Sequence, residues 1–198
     1  MEGIYYYWFM WMIWVIVTFW LPKTDARFWL SFFILLNILG SATFIHFTQI
    51  HVGFSYILFA LLSFFILYRT KRLFYSLFSV LIITVAYAGV KLFYLFDPVW
   101  FLLDVQMYLS ILGVILSNML SKDFFEGMAF FILGSCYGEA LFSSAVYSYY
   151  RPIVIGDFPF LDMLSIGIFS LLIWASFKTF AASLEHIFKK HARERQGT

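Results

Sequence analysis

The sequence predicts an all-α, polytopic integral membrane bundle of about seven transmembrane helices, with the N-terminus outside and the C-terminus in the cytoplasm. Three observations lead to this fold class: a very apolar composition, long apolar stretches joined by short links, and an uneven placement of basic residues. The chain of 198 residues is 63% hydrophobic and only 12% charged, whereas a soluble domain has about 25% charged residues. The composition therefore places it in the membrane class.

Apolar stretches of about 20 residues can cross a bilayer core of roughly 30 Å. The sequence contains seven such stretches, at residues 3–21, 28–46, 52–68, 73–96, 99–120, 127–150 and 161–180. The links between them are too short to form a separate domain, and they make consecutive helices antiparallel neighbours. We therefore expect a single transmembrane helical bundle over residues 1–180, followed by a basic amphipathic cytoplasmic tail over residues 181–198.

The orientation follows from the basic residues, which accumulate in cytoplasmic links of membrane proteins. All but two of the 13 Lys and Arg residues fall in the first, third and fifth links or near the C-terminus. They are Lys23, Arg27, Arg69, Lys71, Arg72, Lys122, Lys178, Lys189, Lys190, Arg193 and Arg195. Arg151 lies on the opposite side and Lys91 lies within a span. This asymmetry predicts a multi-pass protein of the cell membrane with the N-terminus outside.

Several classes of site have no support in the sequence. The N-terminus has no basic residue ahead of its apolar run, so we expect no cleaved signal peptide. The single cysteine, Cys136, excludes an intramolecular disulfide. His46 and His51 flank the second link without a spacing that indicates metal ligands. Catalytic and phosphate-binding motifs are absent, so we expect no catalytic residue, cofactor, metal or nucleic-acid partner.

Lys91 and Asp104 are a candidate ion pair. They lie on either side of the turn at Asp97 and Pro98, each six residues from it. At a rise of about 1.5 Å per residue, both would sit roughly 10 Å below that turn on adjacent helices. Such a pair would be either a structural clamp or a polar site open to the outside.

Glu139 is the second intramembrane candidate, because it lies near the middle of the sixth span. The helical spacing places Ser135, Cys136 and Ser143 on its face as a small polar stripe. One interpretation is a protonated carboxyl that is hydrogen-bonded across helices, through Asn37, Gln106, Asn118 or a serine, and serves packing. The alternative is a carboxylate that binds a proton or cation in a cavity.

Gly134 and Gly138 are predicted helix-packing residues. They stand four apart beside Glu139, and this spacing allows another helix to approach closely. Together with the stripe around Glu139 they form a polar seam, which would be dry if it serves packing and wet if it lines a pathway.

The function favoured by the sequence is a non-enzymatic scaffold or assembly factor of the bacterial plasma membrane. The alternative is a transporter or channel for a small solute, proton or ion that uses Glu139. The expected partners are the lipid bilayer, other envelope membrane proteins, and anionic lipid at the basic C-terminal tail.

One family resemblance rests on the opening MEGIYYYWFMWMIW, the length near 200 residues and the seven spans with short links. In these features the chain resembles the YphA-type membrane proteins of spore-forming bacilli. The resemblance covers the whole chain and implies a role in sporulation and spore envelope assembly. It implies no functional residue, because the family has no diagnostic catalytic motif.

Overall fold

The computed structural model describes four ranges of the chain, residues 3–47, 49–68, 72–147 and 153–196. These ranges form seven α-helices, three short strands and a turn of 3₁₀ helix at Pro98–Trp100. The helices are α1 (Ile4–Trp20), α2 (Asp25–Gly40), α3 (Phe54–Tyr68), α4 (Leu73–Phe96), α5 (Val105–Leu120), α6 (Phe124–Val146) and α7 (Phe158–Gln196). Each overlaps one of the predicted spans, so the helical fold class is confirmed.

Local sequence signals explain where the helices begin and end. The Thr24 hydroxyl caps α2 by accepting a hydrogen bond from the backbone N–H of Arg27 at 3.4 Å, and Asp25 complements the helix dipole in the first turn. α4 stops at Phe96 because Pro98 disfavours a helical conformation at the preceding residue. The Asp157 carboxylate accepts from the backbone N–H of Phe160 at 3.1 Å and so caps α7.

Three strands form a small sheet that the sequence did not predict. Strands β1 (Phe44–Phe47) and β2 (Ile50–Gly53) pair antiparallel, and β3 (Ile153–Ile155) joins β2 in parallel. The register places His46 opposite His51, and Ile50 opposite Ile153. The predicted second and third spans ran into this segment. The structure corrects the bounds of both spans. Here the alternating β-branched residues favour strands, and the backbone N–H and C=O groups are hydrogen-bonded across strands instead of within a helix.

Within the described residues, three helical stretches are long and apolar enough to cross a membrane, at Phe74–Phe96, Phe124–Val146 and Phe158–Ala181. Three shorter helices, α1, α3 and α5, are also apolar. The predicted fifth span started too early. The chain after the 3₁₀ turn stays non-helical until α5 begins at Val105, so this helix is shorter than residues 99–120.

α6 is the central helix of the bundle. It packs against α3, α4, α5 and α7, and its buried residues extend around most of its circumference. Phe130, Phe131 and Ile132 are fully enclosed. Phe131 and Ile132 belong to the buried cluster that includes Phe160 of α7, and Phe130 belongs to the one that includes Ile83 of α4. α6 therefore holds Ser135 and Glu139 where solvent has little access.

The two ends of the bundle differ in character. We call one the sheet end; it holds β1–β3 and the start of α1, where Asp162 accepts from the backbone N–H of Gly3 at 2.7 Å and of Tyr6 at 2.8 Å. We call the other the basic end; it holds the links that follow α1, α3 and α5. The described basic side chains at this end include Arg72 and Lys122.

The predicted tail continues α7 as one helix to Gln196. The side chains of its predicted amphipathic face from Leu184 onwards lie outside the described part of the structure. Arg69, Lys71 and Arg151, which entered the orientation argument, also lie outside the described residues.

Candidate intramembrane site

The closest packing in the centre of the bundle occurs where α4 crosses α6. A Cβ atom on Gly134 would lie 2.6 Å from Ile83 Cγ2, and one on Gly138 would lie 2.6 Å from Tyr87 Cδ1. The Thr84 hydroxyl donates to the Gly134 carbonyl at 3.3 Å across the same contact. The two glycines therefore let the backbone of α6 approach the side chains of α4, and the partner helix is α4.

The Glu139 carboxylate lies directly beside this contact and has two partners on α4. The Tyr87 hydroxyl donates to Oε2 at 2.6 Å, and Lys91 Nζ reaches Oε1 at 2.7 Å and Oε2 at 2.5 Å. Tyr87 and Lys91 are four residues apart, so they project from one face of α4. Both carboxylate oxygens of Glu139 are thus engaged by side chains of the neighbouring helix.

The structure corrects the predicted pairing of Lys91 with Asp104. Within the described residues, the ion pair of Lys91 is with Glu139. Asp104 is exposed at the start of α5 and borders a separate cavity of about 150 Å³ with Gln106 and Asp162. Residues 101–104 are not helical, so Asp104 stays near the end of the bundle and does not reach the predicted depth of Lys91.

The prediction of a protonated Glu139 bonded to an amide or a serine was also wrong about the partners. The Asn37 side chain instead donates to the Phe33 carbonyl at 3.1 Å, and that of Asn118 to the Val114 carbonyl at 3.0 Å. The sequence had instead predicted that Lys91 pairs with Asp104, next to α5. Its proximity to Glu139 makes the site a charged pair with an added tyrosine donor.

The polar stripe predicted around Glu139 divides between two environments. Ser143 borders the same cavity as Glu139, whereas Ser135 faces α5 beside a void of only about 10 Å³. The Cys136 thiol is buried, and its backbone carbonyl accepts from the Tyr56 hydroxyl at 2.8 Å. The seam is therefore tightly packed at Ser135 and Cys136 and borders open space at Ser143.

A cavity of about 300 Å³ connects this pair with the sheet end. Lys91 and Glu139 line it together with Phe142, Ser143 and, at the sheet end, Val154 and Asp157. The Lys91 ammonium lies 4.7 Å from the centre of the Phe142 ring, which adds a cation–π contact. The Lys91 side chain is 21% exposed and that of Glu139 only 3% exposed, so the cavity reaches the ion pair from the lysine side.

Tyr87, Phe142 and Asp157 were missed as site residues. Tyr87 and Lys91 form a polar pair at helical spacing, and this signal could have indicated a shared partner. Phe142 and Asp157 have no comparable signal, because their place at the cavity depends on how α6, β3 and α7 meet.

His46 and His51 contact each other through their Nδ1 atoms across the β1–β2 hairpin. In the described ranges, no group of three or more His, Cys, Asp or Glu side chains is arranged to hold a metal ion. The pair lies at the sheet end, away from the Lys91–Glu139 ion pair.

The comparisons with known proteins identify an integral membrane family. A model of the YphA-like integral membrane protein family matches residues 2–197. The chain belongs to this family. It is 34% identical over 177 residues to a protein of Bacillus subtilis (strain 168) described as uncharacterized protein YphA, and the match covers 86% of each chain. No solved structure matches the chain.

Membership confirms the resemblance found in the sequence and the location in a membrane. It assigns no role to Glu139, Lys91 or Tyr87, so the function has to be argued from the geometry of the site.

Proposed function

We propose that this chain is a multi-pass protein of the cell membrane that binds a small charged solute at the Lys91–Glu139 pair. In this proposal seven helices cross the membrane, the N-terminus and the sheet end face outside, and the C-terminus lies in the cytoplasm. The cavity at the ion pair is then reached from outside the cell.

The topology has two supports. The basic end carries Lys23, Arg72 and Lys122, and basic links are typical of the cytoplasmic side. Helices of 15 to 17 residues, such as α1 and α3, are slightly short for a bilayer core. Local thinning of the bilayer or interfacial anchoring accommodates a mismatch of this size at a modest energetic cost.

The observation that carries the binding proposal is the cavity of about 300 Å³ with a charged pair at its inner end. Ionisable groups inside a membrane protein are costly, and they commonly mark substrate or ion pathways. A volume near 300 Å³ is at the lower end of the range of small-molecule sites. The arrangement therefore favours a ligand of a few heavy atoms.

The chemistry of the pair favours a solute that carries both charges. A ligand with only one charge could replace Lys91 or Glu139 as a partner, but it would leave the other group unpaired, at a cost of up to about 3–5 kcal/mol for the buried Glu139 carboxylate. A zwitterion supplies a carboxylate for the ammonium of Lys91 and an ammonium for the carboxylate of Glu139. The exchange of partners then keeps every charge compensated.

Transport would need a second arrangement in which the cavity opens towards the basic end. The packing of Gly134 and Gly138 against α4 closes that direction in the present structure. Binding from outside is therefore the first step that we propose, and transport would add a separation of α4 from α6.

The second candidate function is the assembly role that the sequence favoured. Its support is that Tyr87 and Lys91 together engage both oxygens of Glu139, as expected of an internal clamp that rigidifies a scaffold. A link to sporulation or to the spore envelope stays a prediction from the resemblance.

A set of four variants separates the two candidates. Glu139→Gln and Lys91→Met each remove one charge, the double variant removes both, and a charge-reversed double variant exchanges Lys91 and Glu139. Stability is read as the temperature at which buried Cys136 becomes reactive to a maleimide in detergent. Activity is read as complementation of a strain that lacks the gene.

Lys91→Met should lose about 3–5 kcal/mol of stability, because the buried Glu139 charge is left unpaired. Glu139→Gln should lose less, because Lys91 is partly exposed to the cavity. The neutral double variant should recover most of that stability. The binding proposal expects that this stable double variant still fails to complement. If it complements as well as the wild type, the solute-binding proposal is wrong and the clamp of an assembly protein is favoured.

A further inference from the structure

A second cavity lies at the basic end, on the opposite side of the bundle from the Lys91–Glu139 pair. It has a volume of about 990 Å³ and lies between α2, α3 and the start of α6. α3 packs on both α2 and α6, and the cavity lies beside its last turns. We call it the basic-end groove.

The walls of the basic-end groove are apolar. Leu30 of α2, Leu62 of α3 and Phe125 of α6 line it. Phe125 is 65% exposed and Leu30 is 43% exposed, so the groove is open at the side of the bundle. An open apolar groove on a membrane-spanning bundle faces hydrocarbon, and a lipid chain is the apolar group available there.

Charged side chains lie at the same groove, and they include both signs. Arg72 and Lys122 are basic, and Asp123 and Glu126 are acidic. Glu126 is nearly buried and accepts from the backbone N–H of Lys122 at 3.0 Å, so it stabilises the turn before α6. Asp123 is exposed, and its side chain does not cap α6.

We propose that the basic-end groove binds a phospholipid whose headgroup carries a phosphate and a primary amine, the phosphatidylethanolamine class. Arg72 and Lys122 bind the phosphate, Asp123 accepts from the ammonium, and an acyl chain lies along the apolar wall at Leu62 and Phe125. Basic pockets between helices on the cytoplasmic side are known to bind lipid headgroups by the same electrostatic logic.

The mixture of charges selects this headgroup over the two common alternatives. A purely anionic headgroup would leave the Asp123 carboxylate beside a negative charge without a compensating partner. A choline headgroup is cationic but has no N–H, so it cannot donate a hydrogen bond to that carboxylate. The ammonium of an ethanolamine headgroup supplies both a positive charge and an N–H donor. A hydrogen bond between charged groups is also stronger than a neutral one.

Native mass spectrometry of the full chain, delipidated in detergent, tests this proposal. The probes are dioleoyl phosphatidylethanolamine, phosphatidylcholine and phosphatidylglycerol, which share their acyl chains. We expect phosphatidylethanolamine to bind about tenfold more tightly than phosphatidylcholine, because only its headgroup donates to Asp123. Asp123→Asn should remove most of this preference, and Arg72→Gln should weaken binding of all three lipids.

Lys23→Gln is the matched control. Lys23 also lies at the basic end, in the link that follows α1, but it does not line the groove, so its removal should leave all three affinities unchanged. The Cys136 labelling temperature shows whether each variant remains folded.

Two results would overturn the proposal. One is equal binding of the three lipids by the wild type and by Asp123→Asn. The other is binding of glycerophosphoethanolamine, the headgroup without acyl chains, as tightly as the intact lipid, because the apolar wall would then contribute nothing.

Discussion

Replacing Gly134 by alanine tests the close packing of α4 on α6. The new Cβ would lie 2.6 Å from Ile83 Cγ2 and 2.7 Å from Ile83 Cβ. Carbon atoms pack best at about 3.5–4.0 Å, so the two helices would have to separate locally by roughly 1 Å. Overpacking of this kind costs about 1–3 kcal/mol.

Gly89→Ala is the matched control, because Gly89 lies on α4 and a Cβ there would meet nothing within 4 Å. Each substitution improves the helix propensity by the same amount, about 0.8–1 kcal/mol in soluble hosts. The difference in stability between the two variants therefore measures the clash at Gly134 alone. That difference of about 1–3 kcal/mol corresponds to roughly 2–12 °C in unfolding temperature for a chain of this size.

The assay uses the single cysteine of the chain. Cys136 is only 2% exposed and lies on α6 between the two packing glycines, so its reaction with a fluorescent maleimide reports opening of the bundle. Gly134→Ala should become reactive at a lower temperature than Gly89→Ala. Equal unfolding temperatures for the two variants would refute the close approach of α4 at Gly134.

Two further predictions concern the sheet end and use the same assay. Asp162→Ala removes the acceptor of the buried N–H groups of Gly3 and Tyr6, so we expect a loss of about 2–6 kcal/mol, and Asp162→Asn should lose less because it keeps one acceptor. An unchanged unfolding temperature in Asp162→Ala would contradict this contact. Gly156→Ala places a side chain at a φ of 77° against Tyr56, so we expect a loss of about 2–5 kcal/mol. A neutral Gly156→Ala would show that the link from β3 to α7 has another conformation.

The sequence was sufficient for the helical framework because each helix needs a long apolar stretch, and this property is local. The sheet could not be predicted in the same way. Residues such as Ile45 and Val52 are as apolar as their helical neighbours, and the sheet is completed by the pairing of Val52 with Ile155 of β3, which is about 100 residues away in the chain. The shorter fifth helix depends on the 3₁₀ turn at Pro98–Trp100, which composition alone does not distinguish from helix.

The site was predicted in part. Glu139 and Lys91 were both singled out because ionisable groups inside spans are rare, and Gly134 and Gly138 because their spacing allows close approach. The sequence could not pair Glu139 with Lys91, because their contact depends on the rotation of α4 and α6 about their axes. Lys91 was therefore assigned to Asp104, the acidic residue predicted to lie at the same depth on the next helix.

The central claim is that the cavity at the Lys91–Glu139 pair opens outside the cell and admits small water-soluble molecules. Ser143 and Ser135 provide a matched pair on α6, because Ser143 lines the cavity and Ser135 is packed against α5. The measurement is labelling of Ser143→Cys and Ser135→Cys by a membrane-impermeant maleimide added to intact cells, in a Cys136→Ser background. We predict that Ser143→Cys is labelled and Ser135→Cys is not. Absence of labelling at both positions, or labelling of Ser143→Cys only from the cytoplasmic side, would contradict the account.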